Sequence, residues 1–260
     1  MKIIVCVKQV PSTNEVRLDP VTKTIIRDAR QSVINPFDTY AIEEAVRLKE
    51  KVGGTVYAMS MGIPATERLL RDAMARGVDS SILLTDRAFA GSDTLATSYA
   101  LSLGAKEVGD FDLIICGKMA VDGDTAQIGP ELSSQLGLPF VTDVCEILEA
   151  SDKKLVCRKV TDEGTAEVEV QLPALITVTK DINMPRLATI SGVRASLTAP
   201  FKAFTAEQLG ADTARCGLNG SPTQVVRTFT PDREHKATFL TGTAAETAAA
   251  ALEIAKEVLK

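Results

Sequence analysis

The stretch that decides the fold is Cys116-Gly-Lys-Met-Ala-Val-Asp-Gly-Asp-Thr-Ala-Gln-Ile-Gly-Pro130, which follows a short apolar run and precedes a helical pattern. A small-residue turn between a buried strand and a helix lies where open α/β sheets bind ligands. Gly117 and Gly123 permit backbone conformations that larger residues avoid. Because the free N–H groups at the start of the next helix would face a phosphate or a flavin edge, the stretch predicts a nucleotide site.

The carboxylates of this stretch would repel a phosphate at close range. We therefore expect Asp122 and Asp124 to serve as helix caps or ribose contacts, and Thr125 can cap as well. The backbone N–H groups and the Thr125 hydroxyl would then meet the phosphate.

On the N-terminal side, short apolar runs alternate with amphipathic stretches up to about residue 138. The runs at 3–7, 55–59, 81–84 and 111–116 predict strands, and the stretches after Asp38, before Gly77, after Ser92 or Asp93, and at 125–136 predict helices. Such alternation indicates a parallel sheet covered on both faces.

On the C-terminal side the period changes. The runs at 144–148, 155–159 and 166–172 alternate like an antiparallel meander, and 175–178 offers a further strand. Near the N-terminus, residues 10–27 predict an inserted hairpin with a small strand at 24–26. The predicted fold is α/β, with a doubly wound, mostly parallel but mixed sheet.

From Thr198 to Leu240 there is little periodic pattern, although apolar residues such as Phe201, Phe204 and Phe229 recur. A structureless segment of this length is unusual inside a compact domain. We therefore expect an arm that buries its apolar side chains on another chain, followed by a helix that begins at a capping box of Thr243 and Glu246. The predicted domains are residues 1–197, a nucleotide-binding α/β domain, and residues 198–260, an arm and helix.

Composition narrows the function. The 260 residues carry a net charge of -5 and only 4% aromatic residues, which argues against nucleic-acid binding. The N-terminal apolar run is too short for a signal peptide, and no run approaches a membrane span, so we expect a cytoplasmic protein. Five cysteines without metal spacing and a single histidine, His235, argue against a metal site and a Ser-His-Asp triad. No side chain is predicted to be catalytic.

Several separated motifs then agree on one family. They are Val7-Lys-Gln-Val-Pro11, Asn35-Pro-Phe-Asp38, the loop Gly117 to Gly129, and the run from Val160 to Thr177, Val-Thr-Asp-Glu-Gly-Thr-Ala-Glu-Val-Glu-Val-Gln-Leu-Pro-Ala-Leu-Ile-Thr. In this order they closely resemble the β subunit of electron-transfer flavoproteins, over essentially the whole chain. The resemblance implies an adenine-nucleotide-hydrolase-like fold and a heterodimer with an α subunit that carries an FAD.

The resemblance also implies what the β pocket binds. In the simple carriers of the family it holds AMP, and in the electron-bifurcating subgroup it holds a second FAD that accepts a hydride from NADH. The segment Asp86-Arg-Ala-Phe-Ala-Gly-Ser-Asp-Thr-Leu-Ala-Thr-Ser98 resembles the bifurcating pattern, so we expect FAD, with AMP as the alternative. The implied partners are the α subunit, ferredoxin or flavodoxin, and an acyl-CoA dehydrogenase. Any NADH-oxidising activity would belong to that complex rather than to this chain.

The predicted cofactor-binding residues fall in three groups. Those implied for adenine and ribose around the first strand are Cys6, Asn35, Phe37, Asp38 and Met61. Those of the glycine loop are Gly117, Lys118, Asp122, Gly123, Asp124, Thr125, Ala126, Gln127 and Ile128. Those of a second strand-to-helix turn are Ala88, Phe89, Gly91, Asp93, Thr94 and Thr97.

Physical reasons differ among these groups. Asn35 can offer a donor and an acceptor to a base edge, although Asn35-Pro36 is also a common turn before a helix, and Met61 could simply fill the core. The second turn would add N–H groups and the hydroxyls of Ser92, Thr94 and Thr97 for a pyrophosphate. The alternative is that Ser92 or Asp93 caps a helix and Thr97 faces solvent. Lys8 and Lys118 could each meet phosphate or remain solvated.

The loop from Arg186 to Ala195 resembles the family's recognition loop for the acyl-CoA dehydrogenase. Ile190 stands where the family places an apolar anchor, usually leucine, and an exposed apolar residue suits a pocket on a partner. Ile190 could instead pack within the chain.

A competing interpretation is a nucleotide-binding sensor or an ATP-dependent ligase on a similar sheet. An ATP-pyrophosphatase loop would read Ser-Gly-Gly-x-Asp-Ser after the first strand. Here that strand is followed by Lys8-Gln-Val-Pro11, and Gly91-Ser-Asp-Thr94 is only a faint echo.

Overall fold

Short apolar segments form the strands of one nine-stranded sheet, whose order is β11-β5-β4-β1-β6-β10-β7-β8-β9. This computed structural model describes residues 1–12, 32–226, 237 and 239–258. The predicted strand at 24–26, Phe229 and His235 lie outside the described residues. The chain divides into two units, Met1–Gln224 and Val225–Lys260.

The six central and edge strands from β11 to β10 run parallel to their neighbours. Five of them are mostly buried because helices cover both faces: β1 (Lys2–Cys6), β4 (Thr55–Met61), β5 (Ser80–Leu84), β6 (Leu113–Gly117) and β10 (Ala174–Val178). The sixth, β11 (Phe201–Phe204), lies at the edge of the sheet and is partly exposed. β7 (Phe140–Ala150) pairs parallel with β10, whereas β8 (Lys154–Thr161) and β9 (Gly164–Gln171) continue as an antiparallel meander. The predicted mixed sheet is confirmed.

Five helices belong to the first unit: α1 (Pro36–Val52), α2 (Glu67–Ala75), α3 (Thr94–Val108), α4 (Ile128–Leu136) and α5 (Ile190–Ser196). The buried apolar residues of α1 and α2 share one core cluster with the sheet, and those of α3 and α4 share another. Helices on both faces make the sheet doubly wound, as predicted.

The strand order reverses at β1. From β1 the chain proceeds through β4 to β5 on one side, and β6 then lies on the other side of β1. Ligands of open α/β sheets bind outside the carboxyl ends of the strands at such a reversal. The sheet therefore places a crevice beyond the ends of β1 and β6.

The start of α4 differs from the prediction. The helix begins at Ile128 rather than near Thr125, and no side chain caps it, so Asp122, Asp124 and Thr125 are not its caps. Asp124 and Ala126 have φ values of 52° and 54°, in the left-handed region, which a right-handed helix cannot include. The helix ends at the left-handed Gly137, as expected.

Most of the predicted hairpin at 10–27 lies outside the described residues. The strand pair that the structure describes uses a later second strand: β2 (Gln9–Pro11) pairs antiparallel with β3 (Ser32–Ile34) to form a separate two-stranded sheet. This pair lies between the first strand and α1, beside the carboxyl ends of the parallel strands.

Residues 201–204, which we predicted to lie in the arm, form β11 in the sheet. β11 extends the parallel sheet at β5, and Phe201 and Phe204 pack against the two cores. β11 has only four residues, which are too few to show the alternating period by which a strand is recognised in a sequence. Residues 201–224 therefore belong to the first unit.

The second unit contains α6 (Ala244–Val258). The Thr243 N–H donates to Glu246 Oε2 at 2.8 Å, and the Glu246 N–H approaches Thr243 Oγ1 at 3.4 Å, so the predicted capping box is confirmed. Of the helices in residues 1–12, 32–226 and 239–258, none combines the length and apolar character that a membrane crossing requires.

Candidate functional site

The crevice is built at the carboxyl ends of β1 and β6. Val5 pairs with Ile115, and the next residues, Cys6 and Cys116, are both buried. The neighbouring Cys6 thiol and burial raise the pKa of the Cys116 thiol well above its usual value. Cys116 is therefore a neutral thiol at the base of the crevice rather than a nucleophile.

Asn35 ties the start of α1 to the glycine loop. Its side-chain N–H₂ donates to the Met119 carbonyl and to Asp38 Oδ1, each at 2.9 Å, and its Oδ1 accepts the Val121 N–H at 3.1 Å. The residue is 1% exposed. These bonds occupy both side-chain donors and one lone pair of Oδ1, so Asn35 shapes the loop, and its contact with a base edge stays a prediction.

Asp38 is buried beside Asn35, in the first turn of α1. Its Oδ2 accepts the backbone N–H of Lys8 at 2.7 Å. Burial raises the pKa of Asp38 to about 7, against the opposing effect of the hydrogen bonds from Asn35 and Lys8. With this pKa, the Asp38 carboxyl group loses its proton near neutral pH. Its hydrogen bonds with Lys8 and Asn35 join it to other groups of the same chain.

Gly117 is needed where β6 passes α1. A Cβ atom at this position would lie 2.4 Å from Asp38 Oδ1 and 2.7 Å from the Phe37 carbonyl carbon, both too close for any side chain. The glycine therefore lets the loop start directly against the beginning of α1.

The exposed part of the glycine loop has the backbone of an anion site. Residues 121–127 are exposed, and left-handed residues at Asp124 and Ala126 alternate with right-handed or extended ones. Within the described ranges, the N–H groups of Thr125 and Ala126 meet no protein acceptor. Successive free N–H groups in such a bend form a concavity for phosphate oxygens.

Two lysines border the crevice and both are paired with carboxylates. Lys8 Nζ lies 2.7 Å from Asp122 Oδ1, and Lys118 Nζ lies 2.7 Å from Asp143 Oδ1. All four side chains are partly exposed, so each pair contributes little to stability. The lysines are thus held near the crevice, and each pair could open toward an anionic ligand.

The second strand-to-helix turn follows β5. Asp93 caps α3 by accepting the Ala96 N–H at 3.1 Å, as our alternative interpretation had it. Although burial opposes the shift, backbone hydrogen bonds from Ala96 and Thr223 lower the pKa of Asp93. Its carboxylate is therefore charged and engaged within the protein.

Ser92 is likewise engaged. Its hydroxyl donates to the Phe89 carbonyl at 2.8 Å and accepts the Gly217 N–H at 3.1 Å. The proton that we had assigned to a pyrophosphate is used inside the turn. The Thr94 hydroxyl is engaged too, because it donates to Glu131 Oε1 or Gln127 Oε1. Of the three predicted hydroxyls, only that of Thr97 makes no hydrogen bond within the described ranges.

Thr94 joins the two turns. Its hydroxyl lies 3.0 Å from Glu131 Oε1 and 3.3 Å from Gln127 Oε1, both at the start of α4. Burial raises the pKa of Glu131, whose other oxygen is buried without a hydrogen-bond partner within the described ranges. The sequence analysis missed Glu131, which lies one turn after Gln127 and carries no motif of its own.

The predicted cofactor-binding residues gather at this edge of the sheet. They follow the carboxyl ends of β1, β4, β5 and β6 or begin α1, α3 and α4, and they include Cys6, Asn35, Phe37, Asp38, Met61, Ala88, Gly91, Asp93, Thr94, Thr97, Gly117, Lys118 and the residues 122–128. Phe89 is different in its packing: it is 5% exposed and belongs to the core under α3. Met61 also packs against that core, as its alternative interpretation proposed.

Ile190 lies apart from the crevice. It is the first residue of α5, which packs against α2, and α2 ends at the amino edge of the sheet. Arg186 anchors the preceding loop to α1 through Glu43 and Glu50. Ile190 itself is 92% exposed, so it does not pack within the first unit.

A cavity of about 370 Å³ lies between α3, α4 and residues 214–222. Tyr99, Gln135 and Arg215 line it, and the Arg215 guanidinium stacks 3.8 Å from the Tyr99 ring centre. Leu95 and Ser221 also line it, so the cavity adjoins the first turn of α3.

The geometry defines an α/β domain with a crevice at the carboxyl ends of its parallel strands, and comparison with known proteins specifies its family. The electron transfer flavoprotein domain matches residues 22–209, most of the chain. The chain therefore belongs to the electron transfer flavoprotein family.

Similar proteins with known names indicate which subunit of the family this chain is. The chain is 47% identical to the electron transfer flavoprotein subunit beta of Thermoanaerobacterium thermosaccharolyticum, over 93% of each chain. It is 44% identical to the subunit of the same name from Clostridium acetobutylicum, over 89% of each, and 42% identical to the caffeyl-CoA reductase-Etf complex subunit CarD of Acetobacterium woodii, over 97% of this chain and 96% of that one. It is thus a β-type subunit with an electron-transfer role, and β subunits pair with α subunits.

Proposed function

We propose that the chain, with its α subunit, carries electrons between NADH, ferredoxin or flavodoxin and an acyl-CoA dehydrogenase, by flavin-based electron bifurcation at an FAD in the crevice. The observation that carries the proposal is the junction at Thr94, which brings the first turns of α3 and α4 together at the reversal of the sheet. Two adjacent helix N-termini offer N–H groups to more phosphate oxygens than a single helix N-terminus does.

The donor set fits a dinucleotide flavin. The glycine loop presents free N–H groups at Thr125 and Ala126, and the turn before α3 supplies Thr94 beside them. Lys8 and Lys118 lie at the border with side chains 49% and 41% exposed, within reach of an anion. The polar groups are therefore arranged along the crevice rather than at one point.

When bound there, FAD would accept a hydride from NADH and pass its electrons to two acceptors. The chain's own residues bind and orient. The close packing of Gly117 on α1 and the Asn35 hydrogen bonds fix the loop, and the neutral Cys116 leaves an uncharged floor.

The alternative is a non-bifurcating carrier whose crevice holds structural AMP. The engagement of Ser92 and Asp93 within the protein favours it, because fewer groups of the second turn then remain for a pyrophosphate. Relatives named as subunits beta and as a reductase-Etf subunit are compatible with either.

The more distant alternative is a nucleotide-binding sensor or an ATP-dependent ligase. After β1, this chain forms the β2–β3 pair, with Lys8 in an ion pair, instead of a glycine-rich phosphate loop. The ligase alternative therefore lacks its main structural support.

For partner docking we propose the exposed apolar side chains around α5. Met184, Leu187 and Ile190 are 88%, 85% and 92% exposed, on a loop that Arg186 anchors. A rigid loop with apolar anchors suits a pocket on the acyl-CoA dehydrogenase.

The test removes crevice contacts. In the αβ complex, combining Thr94→Val with Asp124→Leu should release the crevice nucleotide and leave the α-subunit flavin in place, since only the β crevice is altered. Flavin and adenylate per complex are measured after acid release, with Thr165→Val on β9 as the control. Unchanged cofactor content in the double variant would refute this site.

A further inference from the structure

Residues 212–223, here called the clasp, pack on the turn that precedes α3. The Gly217 N–H donates to Ser92 Oγ at 3.1 Å, and the Thr223 N–H donates to Asp93 Oδ2 at 3.0 Å. In the opposite direction, the Asp93 N–H donates to Ser221 Oγ at 2.8 Å. Three hydrogen bonds thus join segments about 130 residues apart in sequence.

The backbones also approach closely. Gly217 has a φ of +57°, and a Cβ atom there would lie 2.5 Å from the Ala88 carbonyl oxygen. Gly91, with a φ of +77°, lies under Leu218, whose Cγ would be 2.7 Å from an added Cβ. The turn and the clasp are fitted to one another on both sides.

Ser221 closes this arrangement. It is 6% exposed, and its hydroxyl donates to the Gly217 carbonyl at 2.6 Å while it accepts the Asp93 N–H. Without that hydroxyl, the partly buried Asp93 N–H would lose its acceptor in the protein, which disfavours the observed conformation. Asp93 in turn caps α3, so the same contact fixes the first turn of the helix and with it Thr94.

We propose that Ser221 is a positioning residue of the nucleotide site: through Asp93 and the clasp it fixes the turn from Gly91 to Thr94 in the conformation that binds an adenine nucleotide in the crevice. The inference rests on the proposed function, in that the crevice must hold a nucleotide. Because binding and turn order are linked reciprocally, a bound nucleotide also stabilises the clasp.

The experiment compares Ser221→Ala with Ser151→Ala in the purified αβ complex. Ser151 is a matched control because its hydroxyl also donates to a backbone carbonyl and accepts a backbone N–H, in the exposed turn between β7 and β8. Two quantities are measured: the rate at which the crevice nucleotide, FAD or AMP, is lost on dilution, and the hydrogen exchange of peptides that cover residues 86–94.

We expect Ser221→Ala to lose the nucleotide roughly three- to tenfold faster, with faster exchange in residues 86–94, since the hydrogen bonds of this hydroxyl to the Asp93 N–H and the Gly217 carbonyl are both removed. Ser151→Ala should behave like the wild type in both measurements. Ser221→Thr, which restores a hydroxyl, should recover most of the retention. A merely structural role would lower the melting temperature of Ser221→Ala without accelerating nucleotide loss.

Wild-type nucleotide loss and exchange in Ser221→Ala would overturn the proposal. If Ser221→Ala does not assemble, Ser221→Cys replaces it, because a thiol is only slightly larger than a hydroxyl but is a much weaker hydrogen-bond acceptor. Wild-type exchange of residues 86–94 in that variant would count against the clasp.

Failure of the proposed function has a different outcome. A complex that contains AMP in place of FAD contradicts bifurcation but tests Ser221 equally well. If the wild type retains no nucleotide, the proposed function fails, and the exchange comparison alone decides whether the clasp orders the turn.

Discussion

At Gly117 the end of β6 lies directly against the start of α1. We predict that Gly117→Ala lowers the unfolding free energy of the αβ complex by about 1–3 kcal/mol, because the new methyl group would overlap Asp38 and the Phe37 backbone. Gly123→Ala, in the same loop, has open space around it and should change stability little. Equal denaturation curves for the two variants would contradict this packing.

Asp38 makes stability depend on pH. Burial raises its pKa in the folded protein to about 7, above the ordinary value of 3.8 expected in the unfolded chain. The folded state therefore binds the proton more tightly, so the stabilisation is complete below about pH 4 and is lost as pH rises to about 7.

We accordingly predict that, as pH rises from about 4 to about 7, the unfolding free energy of the wild type falls relative to that of Asp38→Asn, by roughly 4 kcal/mol at most. Denaturant titrations at several pH values measure it, with the exposed Asp110→Asn as control. A difference that is constant with pH would show that Asp38 is charged throughout.

Single residues were the hardest level to predict. Cys6 and Gly117 end strands and Thr94 begins a helix that follows a strand, so their place at this edge of the sheet could be predicted from the sequence. The hydrogen-bond partners of each side chain could not be predicted. Asn35 and Ser92 bond to groups of the same chain, and some of these groups come from segments that are distant in sequence.

At the scale of elements, α5 presents an apolar surface on a fixed base. Arg186 donates to Glu43 and Glu50 and holds the loop before the helix on α1. Because Ile190 is exposed, its replacement should not affect folding. It should affect only a partner that covers it.

We predict that Ile190→Glu weakens docking to the acyl-CoA dehydrogenase by about tenfold or more, since a charge would enter an apolar pocket. In a coupled assay, the KM for the αβ complex should rise while its cofactor content and melting temperature stay unchanged. Val160→Glu, on the exposed side of β8, serves as control. An unaltered KM would exclude α5 from the docking surface.

Most elements follow from sequence periodicity, with three exceptions that have local causes. α5 lies within the predicted loop, because its seven residues, which begin after a Thr189 cap, are too few to show a helical period. α4 starts three residues later than predicted because left-handed Asp124 and Ala126 interrupt the helical path. β11 escaped prediction because four residues at a sheet edge are too few to show a period.

At the scale of the whole molecule, the reversal of strand order at β1 explains why residues from four strand ends meet. The doubly wound sheet was predictable because buried parallel strands and amphipathic helices alternate along the chain. The packing of residues 205–223 on the turn before α3 was not, since it depends on contacts between segments far apart in sequence. The interface between the arm and the α subunit stays a prediction.

The central claim, an FAD in the β crevice, is tested most directly by the cofactor content of the purified αβ complex. Acid release followed by chromatographic quantification should give two FAD and no AMP for each αβ pair. One FAD together with one AMP would contradict the claim and identify the complex as a simple electron carrier.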